Sequence, residues 1–156
     1  MVFQTTPTSE QPLYEPHPSP VGSGLRLLVA DDNRDAAESL ALLMEVDGHI
    51  VQIANDGKEA LEMAQRLQPD VCILDIGMPG MDGNTVARCI RDALPGQRML
   101  ILALTGRSHE EDRARAREAG FDQYFTKPVS LSGLMGCIAQ WRDEGDSPRS
   151  TDPTPA

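Results

Sequence analysis

Several things are missing from this chain of 156 residues, and each absence narrows its role. No apolar run approaches the ~18 residues that a membrane span needs. The first residues have neither the basic start nor the apolar stretch of a secretion signal. Both absences point to a cytoplasmic protein. Positive charge is also scarce: 14 Lys and Arg stand against 24 Asp and Glu, a formal charge of −10. Phosphate backbones and anionic membranes repel such a chain, so neither nucleic acid nor membrane insertion is expected. Cysteine is sparse. Cys72, Cys89 and Cys137 are odd in number and lack metal-type spacing, as expected of buried or free thiols in a reducing compartment. His17, His49 and His109 show no ligand spacing and receive no role.

What is present suits one domain. The length allows a full core but not two domains, and 40% hydrophobic residues is ordinary for a soluble globular protein. Residues 1–24 contain Pro7, Pro12, Pro16, Pro18 and Pro20 among Ser, Thr and Gly, and read as a disordered arm or linker. Residues 143–156, polar and with Pro148, Pro153 and Pro155, read as a disordered tail. Neither end is expected to hold a DNA-binding output domain.

Between them, strand and helix patterns alternate. Leu25 to Ala30, His49 to Ala54, Val71 to Asp75, Met99 to Leu104 and Gln123 to Thr126 read as strands. Asp35 to Asp47 reads as a helix with Ala36, Leu40, Leu43 and Met44 inward, stopping at Gly48. Asp56 and Glu59 have capping-box spacing before a stripe of Ala60, Leu61, Ala64 and Leu67. Asp82 opens a third helix with Val86, Cys89 and Ile90 inward. Glu110 to Ala119 is a fourth, its inward face mostly alanine, ending at Gly120. Leu131 to Trp141 is the last, with Ser130 as cap and Leu134, Met135 and Ile138 as core. Strict alternation argues for a parallel sheet with helices on both faces. Periodicity does not set the strand order.

The chemistry lies where the apolar runs stop. Val29-Ala30 leads into Asp31-Asp32, Val71-Cys72-Ile73-Leu74 into Asp75, and Tyr124-Phe125-Thr126 into Lys127-Pro128. In a parallel sheet these side chains collect at the carboxyl edge, where open α/β sheets bind ligands. One acid after a strand is ordinarily an N-cap, but three at one edge are costly. Two unit charges about 4 Å apart repel by roughly 4 kcal/mol at an effective dielectric of ~20. A hard cation such as Mg²⁺ relieves this, since it takes carboxylate and carbonyl oxygens and keeps some waters. The remaining positions suit a phosphoryl oxygen, with Lys127 a second positive charge.

The motifs in order are Leu27-Leu28-Val29-Ala30-Asp31-Asp32-Asn33, Leu74-Asp75-Ile76-Gly77-Met78-Pro79-Gly80-Met81-Asp82-Gly83, Ala103-Leu104-Thr105-Gly106, and Gly120-Phe121-Asp122-Gln123-Tyr124-Phe125-Thr126-Lys127-Pro128. Residues 25–142 resemble a bacterial response-regulator receiver domain. The resemblance implies a flavodoxin-like (βα)5 fold with strand order 2-1-3-4-5. It implies that Asp75 takes a phosphoryl group from a phosphohistidine and forms an acyl phosphate. It gives Mg²⁺ to Asp31, Asp32, Asp75 and the Gly77 carbonyl. Lys127 would pair with Asp75 and later with the phosphoryl group, and the Lys127-Pro128 bond would be cis. Thr105 and Tyr124 would form the switch, Thr105 moving to the phosphoryl group and the ring taking its space. Bland alternatives remain for both: a β-branched residue at a strand end, and a half-buried strand tyrosine. Phe125 should point away from Tyr124.

The implied partners are a histidine kinase or histidine phosphotransfer protein and a downstream protein target. The protein would be a signalling phosphoacceptor and not an enzyme in the usual sense, although it catalyses its own phosphorylation and dephosphorylation. It would stand alone or be cut from a hybrid kinase, as a monomer or as a weak homodimer through its last two helices and fifth strand. Gly77 and Arg107 occupy positions that influence phosphoryl lifetime in this family. Two other readings compete. An aspartate-nucleophile phosphatase of the haloacid-dehalogenase type wants D-x-D, but Ile76-Gly77 follows Asp75. A phosphorylation-independent adaptor has no need of a complete acidic site.

Overall fold

The computed structural model describes residues 24–106 and 109–146. The proline-rich arm, Arg107 and most of the polar tail lie outside the described residues. The elements run β1 (Arg26–Ala30), α1 (Arg34–Val46), β2 (Ile50–Ala54), α2 (Gly57–Leu67), β3 (Val71–Asp75), α3 (Gly83–Ala93), β4 (Leu100–Thr105), α4 (Glu110–Ala119), β5 (Gln123–Thr126) and α5 (Leu131–Asp146). All pairings are parallel, in the order β2-β1-β3-β4-β5 that the resemblance implies. Strand limits differ from the sequence expectation by a residue at β1, β2 and β4, within the fraying of such boundaries.

The apolar strands divide their side chains between two cores. Leu28, Ala30, Cys72, Leu74, Ile101 and Ala103 pack under α2, α3 and α4. Leu27, Val29, Ile73, Leu100, Leu102 and Leu104 pack under α1 and α5 with Leu40, Met44, Leu134 and Ile138. This period-2 split buries β3 and β4 completely and β1 from Leu27 onward, so β3 and β4 carry no polar residue until Asp75 and Thr105 at their ends, and β1 none after the exposed Arg26. Each fully buried Leu or Ile contributes about 1.5–3 kcal/mol. Tyr124 belongs to the first core and Phe125 to the second, the opposite facing expected of neighbours on a strand.

Asp56, Asp82 and Ser130 cap helices as the sequence leads one to expect, and Asn33 adds a cap at α1. Asn33 accepts from Ala36 N, Asp56 from Glu59 N at 2.8 Å and Asp82 from Thr85 N at 2.9 Å. Ser130 Oγ accepts from Gly133 N at 3.2 Å, as a cap of α5 does. Glu59 reaches back to Asn55 N rather than to the cap residue itself.

Three expectations need correction. α1 buries Ala37, Leu40, Ala41 and Met44, while Ala36 is exposed and Leu43 is 43% exposed. The two alanines let the helix lie close to the sheet, and the stripe through them turns Leu43 outward. Met63 joins the buried face of α2, with Leu61 and Leu67 only partly covered. α5 continues past Trp141 to Asp146, into the expected tail. There Arg98 stabilises the extra turn, donating to the Trp141 carbonyl at 2.6 Å with its guanidinium 3.8 Å over the indole. α4 is held as lightly as its composition implies. Only Ala116 and Ala119 are buried, and Arg113, Arg115 and Arg117 face solvent. Among the described residues no helix is long and apolar enough to cross a membrane.

Candidate functional site

Strand register assembles the site. Ala30 pairs with Leu74, so Asp31 and Asp75 leave adjacent strands at the same height. Asp75 pairs with Leu104, and Thr105 with Thr126, which sets Thr105 and Lys127 on the other flank of Asp75. Backbone bonds lock the strand ends: Asp31 N to Ala54 O at 3.2 Å, Ile76 N to Leu104 O at 2.9 Å and Lys127 N to Thr105 O at 2.7 Å. The Lys127-Pro128 bond is cis, as the resemblance implies.

All three acids meet. Asp31, Asp32 and Asp75 offer carboxylate oxygens that lie within 4.8 Å of one another. Asp31, Asp75 and Thr105 are buried, at 3%, 6% and 5% exposure, whereas Asp32 faces solvent. Lys127 pairs with Asp75, as the resemblance implies, and with Asp31 as well. It bridges two acids, with Nζ 3.4 Å from Asp31 Oδ2 and 3.5 Å from Asp75 Oδ1. One ammonium therefore faces three carboxylates.

The Asp75 carboxyl is pushed above its ordinary range. Burial is the main cause, the Asp31 charge adds to it, and the Gly77 N–H and Lys127 oppose it. That N–H donates to Asp75 Oδ1 at 3.0 Å, so the loop after β3 holds one carboxylate oxygen in place. A side chain at Gly77 would begin 3.7 Å from that oxygen, which places residue 77 directly beside it. By strand alternation Thr105 shares a face with Ala103, and Ala103 pairs with Tyr124. Thr105 and Tyr124 thus lie on one face of neighbouring strands, two register positions apart.

One contributor to the site, Asn33, carries no obvious mark in the sequence. Asn33 donates its N–H to Asp31 Oδ1 at 2.9 Å while its side chain caps α1, so one residue orients the acid and starts the helix. Its only signal is the place of an Asn between two acids and an amphipathic run. His49, given no role, is buried at the opposite edge of the sheet. Its Nδ1 accepts from Leu25 N at 3.2 Å, and its Nε2 lies 3.3 Å from Asp47 Oδ2. Its work is structural.

The carboxylate oxygens form a hard, anionic donor set. Such a set fits a divalent cation such as Mg²⁺ and offers nothing to a soft metal. Of the cysteines, Cys72 is fully buried beside Met99 sulfur at 3.6 Å, and burial pushes its thiol up to about 12.

Known proteins share this fold. The response regulator receiver domain family matches residues 27–139. Response regulator MprA of Mycobacterium leprae is 41% identical over 114 residues, 73% of this chain. The chain spans about half (49%) of that protein's length. Among solved structures, a CheY-like response regulator receiver domain protein from Methanospirillum hungatei superposes with a TM-score of 0.73 at 28% identity. The match covers 80% of this chain and 98% of that one. The receiver domain of a sensor histidine kinase from Pseudomonas aeruginosa, which holds a magnesium ion in its active site cleft, gives a TM-score of 0.69 at 29% identity, covering 76% and 97%. With the fold, the acidic edge and these relatives in agreement, this chain belongs to the response-regulator receiver family of two-component systems.

Proposed function

We propose that Asp75 is the phosphoacceptor of a phosphorelay. One observation carries this reading: three carboxylates converge with one lysine at a single sheet edge, and the most buried pair, Asp31 and Asp75, shares that lysine. Asp31, Asp32, Asp75 and the Gly77 backbone carbonyl would hold Mg²⁺. When bound, the ion neutralises charge on the phosphoryl oxygens.

The protein's own groups do the rest. A carboxylate oxygen of Asp75 attacks phosphorus in line. The phosphorus–nitrogen bond of the donor phosphohistidine breaks, the imidazole leaves with the bonding pair and takes a proton, and an acyl phosphate remains on Asp75. The Gly77 N–H holds one Asp75 oxygen, which leaves the other to attack. Lys127 offsets the charge of the carboxylates at rest and moves to the phosphoryl oxygens afterwards. Thr105 then donates its hydroxyl to a phosphoryl oxygen, and Tyr124 turns into the space it vacates. α4, held by two alanines, is the element most easily shifted by that turn.

The donor is a histidine kinase or histidine phosphotransfer protein, and the output is a changed docking surface for a protein target. The domain acts in the cytoplasm, and its acidic balance disfavours direct contact with nucleic acid.

Incubation with Mg²⁺ and acetyl phosphate, read by intact mass, tests the proposal. Wild type should gain one phosphoryl group and Asp75→Ala none, and prior removal of Mg²⁺ should abolish the gain. Addition to both proteins would mean that another residue is the acceptor.

A further inference from the structure

The loop between β3 and α3 carries Gly77 and closes on itself through Gly83 N, which donates to Ile76 O at 3.0 Å. Met78 anchors the loop in the first core, and Met81 packs against that core at half burial. Two glycines touch this loop where no side chain fits. A Cβ at Gly83 would lie 2.7 Å from the carbonyl oxygen of Asp75 and 2.7 Å from Ile76 Cα. Both neighbours are backbone, and one is the backbone of the acceptor itself. A Cβ at Gly57, the first residue of α2, would run into the Met81 carbonyl oxygen, and would lie 2.9 Å from Met81 Cβ and 2.9 Å from Val86 Cγ2. Neither glycine has the positive φ that would explain it by backbone conformation. Close approach is what each supplies.

We propose that Gly57 and Gly83 are positioning residues for phosphoryl transfer, clamping the loop between the first turns of α2 and α3 so that Asp75 and residue 77 face the other two acids. This rests on Asp75 as the acceptor. It gives α2 a part in the site, although none of the acids or the lysine belongs to α2. The start of α3 lies against the backbone of residues 75 and 76 and the start of α2 against residue 81, so close backbone packing fixes both ends of the loop. Other glycines are not equivalent. A Cβ at Gly136 of α5 would meet nothing within 4 Å, so Gly136→Ala adds the same atom to a helix without touching the loop.

The test compares wild type, Gly57→Ala, Gly83→Ala and Gly136→Ala. Three quantities are read well below every melting temperature: Mg²⁺ affinity by calorimetry, the rate of phosphorylation by acetyl phosphate at saturating Mg²⁺, and the circular dichroism spectrum. The expected result is a native spectrum with Mg²⁺ affinity weakened about tenfold. The rate should fall on the order of 10- to 100-fold, the scale for displacements near 1 Å, for Gly83→Ala and to a lesser degree for Gly57→Ala. Gly136→Ala should match wild type. Native Mg²⁺ affinity and rate in both loop variants, even with lowered melting temperatures, would overturn the proposal. So would failure of both to fold, since the glycines would then serve the fold alone. The two clashes fall on different atoms, so one variant that folds suffices to decide. Failure of wild type to take the phosphoryl group would contradict the acceptor assignment, a separate outcome.

Discussion

Asp75→Asn should make the metal-free protein more stable. The substitution keeps shape and an acceptor for the Gly77 N–H but removes a buried charge. Asp31 and Asp75 present oxygens within 4.8 Å, which corresponds to a repulsion of about 3.5 kcal/mol at an effective dielectric of ~20. Asp32 adds less, being exposed. Against this, Asp75 loses Lys127, at 3.5 Å and 36% exposed, an attraction worth about 2 kcal/mol once solvent screening is allowed for. The net gain is about 1–2 kcal/mol. For a domain of this size that is a rise of roughly 3–8 °C in melting temperature. The pH dependence has a definite sign. The folded-state value of Asp75 is raised above the ordinary 3.8, so the native state holds the proton more tightly. Its ionisation then costs stability as pH rises from the ordinary value through the raised one. The advantage of Asn should therefore be full above the raised value and vanish below the ordinary one, where Asp75 is protonated folded and unfolded. Urea denaturation of both proteins in chelator across this range measures it. A less stable Asp75→Asn above the raised value, or a gain that persists in acid, would show that the buried Asp75 charge does not destabilise the fold.

Three further outcomes follow from the same geometry. Lys127→Ala leaves Asp31 and Asp75 without their shared cation, and should slow phosphorylation by acetyl phosphate about 100-fold at saturating Mg²⁺. Cys72, its thiol pushed up to about 12, should resist a disulfide reagent at pH 8 until urea unfolds the protein, while the half-buried Cys89 and Cys137 react first. Leu134→Ala, at a fully buried position under the sheet, should cost about 2–5 kcal/mol in urea denaturation with Mg²⁺ affinity unchanged.

The site was more legible in the sequence than parts of the fold that carries it. Val71 to Leu74 and Leu27 to Ala30 are buried on both faces, so the first acid after each stands out sharply. The strand order came from the resemblance, since the length and period of a strand say nothing of its neighbour. The inward face of α1 was misread because alanine and leucine carry the burial together. Ala36 and Ala37 look alike in sequence, and only contact with the sheet separates them. The end of α5 was misjudged because polar Arg142 to Asp146 gives no apolar stripe, and the support comes from Arg98, 43 residues before Trp141. His49 was passed over because a lone histidine has no periodic signal, and its burial depends on the chain entering β1 beside it. The loop clamp at Gly57 and Gly83 was equally hidden. Glycine at a helix start is unremarkable until the backbone opposite it is located.

Phosphoramidate is the sharpest probe of Asp75 as the acceptor, because its phosphorus–nitrogen bond is of the kind broken in a phosphohistidine donor. The protein is incubated with it and Mg²⁺, reduced with borohydride to convert an acyl phosphate into homoserine, and mapped by peptide mass. Homoserine is expected at position 75 alone, and none when Mg²⁺ is withheld. Homoserine at position 31 or 32, or conversion at 75 that is indifferent to Mg²⁺, would contradict Asp75 as the Mg²⁺-dependent acceptor.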